Sequence, residues 1–225
     1  MKTEALIQAL VADVRPVRRL PRARQRCVNW LGLGAVLVVA SASALGLRPD
    51  LAAKAQDVVF LGENAALLLV CLLAARGAFQ LSVPEEARSA STYAQPLLAL
   101  GLAAGLVVLR GHSATVGTLE PELSHGLSCI QRSAGLGALP VLAGWAMLRR
   151  AAPLQQRWVG LFLFLSAFSL ATIGTQVLCN ADGALHLLLW HYLPLLLAGL
   201  AGAALGEVAF RKRASPWPLR PGATR

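Results

Sequence analysis

The sequence predicts an all-α protein, a polytopic membrane bundle of six transmembrane helices with a short cytoplasmic N-terminal arm. Three observations carry this. Of 225 residues, 56% are apolar and 14% charged, with a mean hydropathy of +0.59, whereas a soluble domain carries about 25% charged residues. The apolar residues fall in blocks close to the roughly 20 residues that cross a bilayer core as a helix. The cations are sorted. With six crossings, 17 Lys and Arg fall on the side that holds both termini, and three, Arg48, Lys54 and Arg110, fall on the other. Loops rich in Lys and Arg stay cytoplasmic, so both ends are predicted inside.

The elements follow in order. Thr3–Val14 reads as a short amphipathic helix, with Leu6, Leu10 and Val14 four apart and Ile7 and Val11 alongside. Pro16 stops it, and Arg15–Arg26 is basic. The arginines alone would rest on anionic headgroups. An amphipathic stretch ahead of them is unnecessary for anchoring and points to a cytoplasmic partner. Spans are expected at Val28–Leu47, Val58–Ala75, Ala94–Leu109, Gly126–Leu148, Trp158–Leu178 and Ala184–Phe210. Ala42-Ser43-Ala44 looks like a signal cleavage site, but the stretch ahead of span 1 and its apolar run are both too long for a secretory signal, and the span is read as retained. Span 3 is the shortest. The chain thus divides into an arm, 1–27, a six-helix transmembrane domain, 28–210, and a basic tail, 211–225. Gly101-Leu-Ala-Ala-Gly105 and Gly202-Ala-Ala-Leu-Gly206 are small-xxx-small pairs suited to close helix packing.

Several function classes drop out. The net charge of +10 flanks spans and has few interleaved aromatics, which argues against direct nucleic-acid binding. No hydrolase, kinase, dinucleotide or deaminase motif is present, and the Gly-rich runs sit inside apolar spans. The protein is expected not to be an enzyme, with no catalytic residue and no required cofactor. A transporter needs a polar path through the full depth, and beyond Glu63, Asn64, Gln176 and His191 the spans offer little. A thiol-redox membrane protein usually has cysteines paired in sequence, and there is no Cys-x-x-Cys.

The chemistry that remains is soft. Cys129 falls in the first turn of span 4, with His125 four residues before and Arg132 three after on one helical face. A neighbouring cation favours thiolate. Cys179 ends span 5 in the short turn Cys179-Asn-Ala-Asp-Gly183, which keeps His186 and His191 of span 6 nearby. Both cysteines are predicted at the outer, oxidising surface. Two readings stay open: a reversible disulfide, or a transient soft or borderline heavy-metal ion held by Cys129, Cys179 and one or two histidines, His125 and His191 foremost. Cys27 and Cys71 lie toward the cytoplasmic side and read as small hydrophobes. His191, Glu63 and Asn64 at membrane depth read by default as functional, the alternative being groups that hydrogen-bond across helices. Glu207 is expected to pair with Arg211. Pro140 and Pro194 interrupt spans 4 and 6.

Five segments together resemble one family. They are Leu10-Val-Ala-Asp-Val-Arg-Pro-Val-Arg-Arg-Leu20 in the arm, Gly46-Leu-Arg-Pro-Asp-Leu51 after span 1, and Val83-Pro84 after span 2. The others are His125-Gly-Leu-Ser-Cys129 at the start of span 4, and the corner from Cys179 to His186-Leu-Leu-Leu-Trp-His191-Tyr-Leu-Pro194. Their order resembles the NrsF family of bacterial anti-sigma factors over nearly the whole chain. The resemblance implies a six-span inner-membrane protein that holds an ECF-type sigma factor at the cytoplasmic face. It implies that two periplasmic cysteines, matching Cys129 and Cys179, mediate the response to heavy-metal or oxidative stress. The arm residues expected to meet the sigma factor are Leu6, Leu10, Asp13, Arg15, Pro16, Val17, Arg18, Arg19 and Leu20.

Overall fold

The computed structural model describes residues 3–12, 20–83, 89–111, 119–151 and 153–210. They are helical, with no strand among them. Helix α1 covers Thr3–Ala12, and Asp13 and Val14 of the predicted helix lie outside the described residues. The bundle is built from α2 (Ala23–Leu45), α4 (Val58–Leu81), α5 (Ala90–Gly111), α6 (Leu119–Leu148) and α7 (Gln156–Gln176). It is completed by α8 (Ala184–Leu187), a π turn (Leu188–Tyr192) and α9 (Leu193–Ala209). A short helix, α3 (Leu51–Lys54), lies in the α2–α4 loop. Asp57 caps α4, its carboxylate accepting from the amides of Val59 and Phe60. This satisfies two of the donors that a helix start leaves open.

The helices overrun the predicted spans, because polar residues at the ends continue the backbone hydrogen bonding that the apolar run begins. Thus α2 starts at Ala23, α4 continues to Leu81 and α6 starts at Leu119. The third span, the shortest of the six predicted, becomes a helix of 22 residues. Among the described residues, five helices are long and apolar enough to cross a membrane: α2, α4, α5, α7 and the α8–α9 run Ala184–Val208. α6 has 30 residues, but Gln131, Arg132 and its glycines dilute its apolar content, so composition alone does not mark it as a span.

Long-range contacts show which ends meet. At one end, Arg26 on α2 donates to Ser82 just past α4. There too Gln156 on α7 donates to the carbonyl of Phe210 after α9, and Trp145 on α6 packs on Phe210. At the other end, Arg110 on α5 meets Glu63 on α4, and Cys129 on α6 meets Cys179 after α7. The six long elements therefore alternate in direction. One end carries Arg22, Arg24 and Arg26 with Arg149, Arg150 and Arg157; the other carries the cysteine pair.

Helix α7 is the central post, packed on α4, α6, α9 and α2. Of its most apolar stretch, 72% is buried, against 22% for α2, so α7 faces protein and α2 mostly faces outward. Its seam with α9 is made by missing side chains. A Cβ on Gly202 would meet Phe164 and the Gly160 carbonyl at 2.6 Å, and one on Gly160 would meet the backbone of Gly202 and Gly206. The Gly202/Gly206 pair is thus spent inside the chain. Gly101 and Gly105 have nothing within 4 Å of an added Cβ and face open space. Trp30, fully buried, donates its indole N–H to the Pro140 carbonyl at 2.9 Å and joins α2 to α6. α6 stays α-helical through Pro140, whereas the helix at Pro194 is preceded by the π turn.

Candidate functional site

The site forms where α6, the end of α7 and the α8–π segment meet. Thr175 and Ser133 set the α6–α7 register one turn below it. Thr175 gives its own hydroxyl proton to the Ala171 carbonyl at 2.9 Å, so Ser133 donates to Thr175, also at 2.9 Å. One turn further along both helices stand Cys129 and Cys179. Both are buried, with Sγ atoms 3.3 Å apart. A disulfide bond is about 2.05 Å, so these are two thiols in contact, Cys129 donating to Cys179. The Cys179 amide donates to the Thr175 carbonyl at 2.9 Å and ends the helix against the site.

His186 and His191 close the cluster from α8 and the π turn. His186 Nε2 lies 3.5 Å from Cys179 Sγ and 3.7 Å from Cys129 Sγ. The rings of His186 and His191 have centroids 5.5 Å apart. In a regular α-helix, residues five apart point about 140° away from each other. The π turn closes hydrogen bonds over five residues and brings both imidazoles to one side. One ligand atom from each of Cys129, Cys179, His186 and His191 lies within 4.8 Å of all the others. Both ring nitrogens of fully buried His191 lack a hydrogen-bond partner among the described residues. Such atoms are costly to leave unpaired. The Cys179 thiol is held well below the ordinary cysteine range. The Cys129 hydrogen bond does most of this, against burial, helped by His186, by His191 at longer range and by the Ala181 amide.

A charged strap backs the turn that carries Cys179. Arg48, buried in the α2–α4 loop, donates from Nη1 to the Cys179 carbonyl at 2.7 Å. Its guanidinium grips Asp182 at 2.9 and 3.0 Å and Asp50 at 2.7 and 2.9 Å. Its amide donates to the Val177 carbonyl at 3.0 Å. Lys54 bridges Asp182 at 2.9 Å and Asp57 at 3.1 Å. Burial alone would raise the Asp182 carboxyl, but Arg48 and Lys54 outweigh it and keep it below the usual range. At this end Arg48, Lys54 and Arg110 are each paired with a carboxylate.

The other expected residues fall out as follows. His125 is exposed, outside the four, with its ring 5.8 Å from that of His186; His186 holds the place expected of it. Arg132, half-buried, lines a groove with Ser41, Leu45 and Ser128. Glu63 pairs with Arg110 across α4 and α5 at 3.0 Å, and Asn64 donates to the Phe60 carbonyl of its own helix at 2.8 Å. Glu207 meets Arg157 of α7 in an ion pair; Arg211 is outside the described residues. Cys27 and Cys71 are buried in the apolar core. Of the arm, Leu6 and Leu10 belong to α1 without described side chains, Asp13, Arg15, Pro16, Val17, Arg18 and Arg19 lie outside the described residues, and Leu20 is exposed. Ile7 and Val11 of α1 are also exposed. The tail 211–225 lies outside the described residues. Sequence reasoning ranked His186 as only a supporting residue, because the π turn that swings it in beside His191 has no residue code. Pro194 two residues beyond the turn is the one local hint, since it lacks an N–H for the preceding carbonyls.

Fold and site define an all-helical protein with apolar helices of membrane-crossing length and a buried thiol–imidazole cluster at the end opposite its basic segment. The NrsF family model, negative regulator of sigma F, matches residues 10–211, most of the chain. The chain belongs to the NrsF family, negative regulators of a sigma factor. No curated protein and no solved structure matches it.

Proposed function

We propose that the protein is an inner-membrane anti-sigma factor with six spans and both termini cytoplasmic. Its arm, Leu6–Leu20, holds an ECF-type sigma factor at the inner face. A change at the periplasmic pair Cys129 and Cys179 releases it. The observation that carries this reading is the thiol pair at 3.3 Å, buried at the bundle end opposite the basic arm. α6 is the sixth crossing, since its neighbours α5 and α7 both run antiparallel to it.

The stimulus that fits best is a soft or borderline divalent ion held by Cys129, Cys179, His186 and His191. Two sulfurs and two ring nitrogens are a known ligand set for zinc-like ions. A tetrahedral site with metal–sulfur bonds of about 2.3 Å has ligand atoms roughly 3.3–3.8 Å apart, a small contraction from the 4.8 Å limit found. Binding takes the thiol protons away and draws α6 and the α8–π segment together. Tenfold weaker sigma binding requires about 1.4 kcal/mol of coupling.

Co-purification from detergent tests the function. The chain should retain a sigma factor, lose it when cadmium is added, and keep it when Cys129→Ser or Cys179→Ser is present. A chain that retains no sigma factor sinks the anti-sigma reading. A double cysteine variant that still releases on both metal and oxidant sinks the sensing part. Release by oxidant with His186→Ala and His191→Ala at parental levels, and none by cadmium, would replace the metal with a disulfide.

A further inference from the structure

A cavity far from Cys129 and Cys179 lies at the arginine end between α2 and α4. It measures about 460 Å³, within the range of pockets that hold small molecules. Arg24, Cys27, Val28 and Leu31 line one wall at helical spacing, and Leu72, Arg76 and Phe79 the other. The walls are mainly apolar, yet two guanidiniums stand in them. Neither Arg24 nor Arg76 has a hydrogen-bond or ion-pair partner among the described residues. Arg26 is different: it is buried, bonded to Ser82 at 3.1 Å and stacked over Phe79 at 5.7 Å. Among the described residues the fold uses Arg26 and gives Arg24 and Arg76 no such partner.

Arg76 and Gln80 also line a second, smaller space of about 110 Å³ with Ser89, Ser91, Thr92 and Gln95 at the start of α5. That space is walled by hydroxyls and amides. Arg76 therefore stands at the junction of an apolar slot and a polar, donor-rich one. A phosphate diester wants N–H and O–H donors with a guanidinium fork; an acyl chain wants the apolar wall. The site lies at the ends of helices long enough to cross a bilayer, the start of α2, the end of α4 and the start of α5, where basic residues meet anionic headgroups.

We propose that this paired cavity is a binding site for an anionic phospholipid, with its phosphate at Arg76, Gln80 and the Ser89–Thr92 hydroxyls, Arg24 alongside, and an acyl chain between α2 and α4. A free phosphate leaves the larger, apolar slot unfilled, which is why the lipid is the occupant. The site rests on the reading of these helices as membrane spans, and is independent of Cys129 and Cys179 and of the sigma factor.

The test uses the full chain purified in mild detergent, with bound lipid counted by native mass spectrometry and thermal stability followed on adding phosphatidylglycerol, phosphatidylcholine or inorganic phosphate. Phosphatidylglycerol should be retained and raise the melting temperature, and the other two should not. Arg76→Gln should weaken phosphatidylglycerol binding about tenfold, Arg24→Gln less, and Arg76→Lys should restore most of it. Arg149→Gln, at the same end but outside the cavity, should bind like the parent. Equal retention of the two lipids, saturation by phosphate alone, or parental binding by both Arg76→Gln and Arg24→Gln would overturn the site. A chain that fails to partition into membranes would overturn the span reading and the site with it.

Discussion

The Arg48 guanidinium holds the backbone of Cys179, donating to its carbonyl oxygen at 2.7 Å. It thereby ties the loop that follows α2 to the turn that carries a thiol. α2 runs from that loop to the basic segment at the other end, so motion at Cys179 has a mechanical route to the arm. Arg48→Gln should cost about 3 kcal/mol, the lower end for breaking a buried pair, because Asp50 and Asp182 keep contact with water. Unfolding in detergent measures this. In cadmium titrations the variant should still bind the ion, and release of the sigma factor should need at least tenfold more of it. Equal release at equal occupancy would show that the strap plays no part in transmission.

Asp182 gives this strap a pH limit. Its folded-state pKa is depressed by Arg48 and Lys54 against burial, so its contribution is fully present above the ordinary carboxylate value of about 3.9. That contribution is lost as pH falls through the lower folded value. Stability should hold flat from pH 7 to about pH 5 and drop below about pH 4. Asp182→Asn should remove that acid-side slope. A slope of parental size in the variant would assign it to Asp50 or Asp57 instead.

The histidines separate by position. His186→Ala and His191→Ala should each weaken cadmium binding at least tenfold, read from the thiolate-to-metal absorption band, because each removes one of four ligands. His125→Ala should change it less than twofold, since that ring is exposed and outside the cluster. Cys27→Ser and Cys71→Ser should respond like the parent. If His125→Ala proves as damaging as His186→Ala, the ligand set is wrong.

The two glycine pairs should behave oppositely. Gly202→Ala puts a methyl against the Gly160 carbonyl and Phe164 and should destabilise by about 1–3 kcal/mol through overpacking. Gly101→Ala meets nothing and should be neutral or stabilising by up to about 1 kcal/mol, since alanine holds a helix better than glycine. Thermal unfolding of the two variants side by side decides it; a loss at Gly101 would mean that another chain covers that face.

Much of this was legible in the sequence, for physical reasons. Apolar blocks of about 20 residues give the helices, because in lipid a helix satisfies its backbone within one segment. The sorting of arginines gives the two ends. The five-residue turn Cys179–Gly183 is too short to let α7 and α8 separate, so His186 and His191 had to be close to Cys179. The meeting of Cys129 with Cys179 depends on α6 packing on α7 through Ser133 and Thr175, a tertiary choice that spacing does not encode. The pairing of Glu207 with Arg157 was hidden in the same way: a neighbour one turn away, such as Arg211, is visible in the sequence, but Arg157, 50 residues off, is not. The strap at Arg48 was hidden because its partners lie 2 and 134 residues away, and only the nearer of them is visible in the sequence.

The π turn at Leu188–Tyr192 amounts to one residue more than the path requires. An α-helix brings residues four apart to one side, and here five residues span the same arc. Everything after the turn keeps its phase, and Gly202 and Gly206 still face Gly160. Deleting Leu189 should therefore be tolerated: the segment would wind into a plain α-helix, the two imidazoles would stay on one side, and the α7–α9 seam would be undisturbed. Deleting Leu196, beyond the turn, has no slack to draw on. It would rotate the glycines of α9 off Gly160 by about 100° and should prevent folding. The surplus residue makes the site the one place in this helix where chain length can change without changing what lies beyond it.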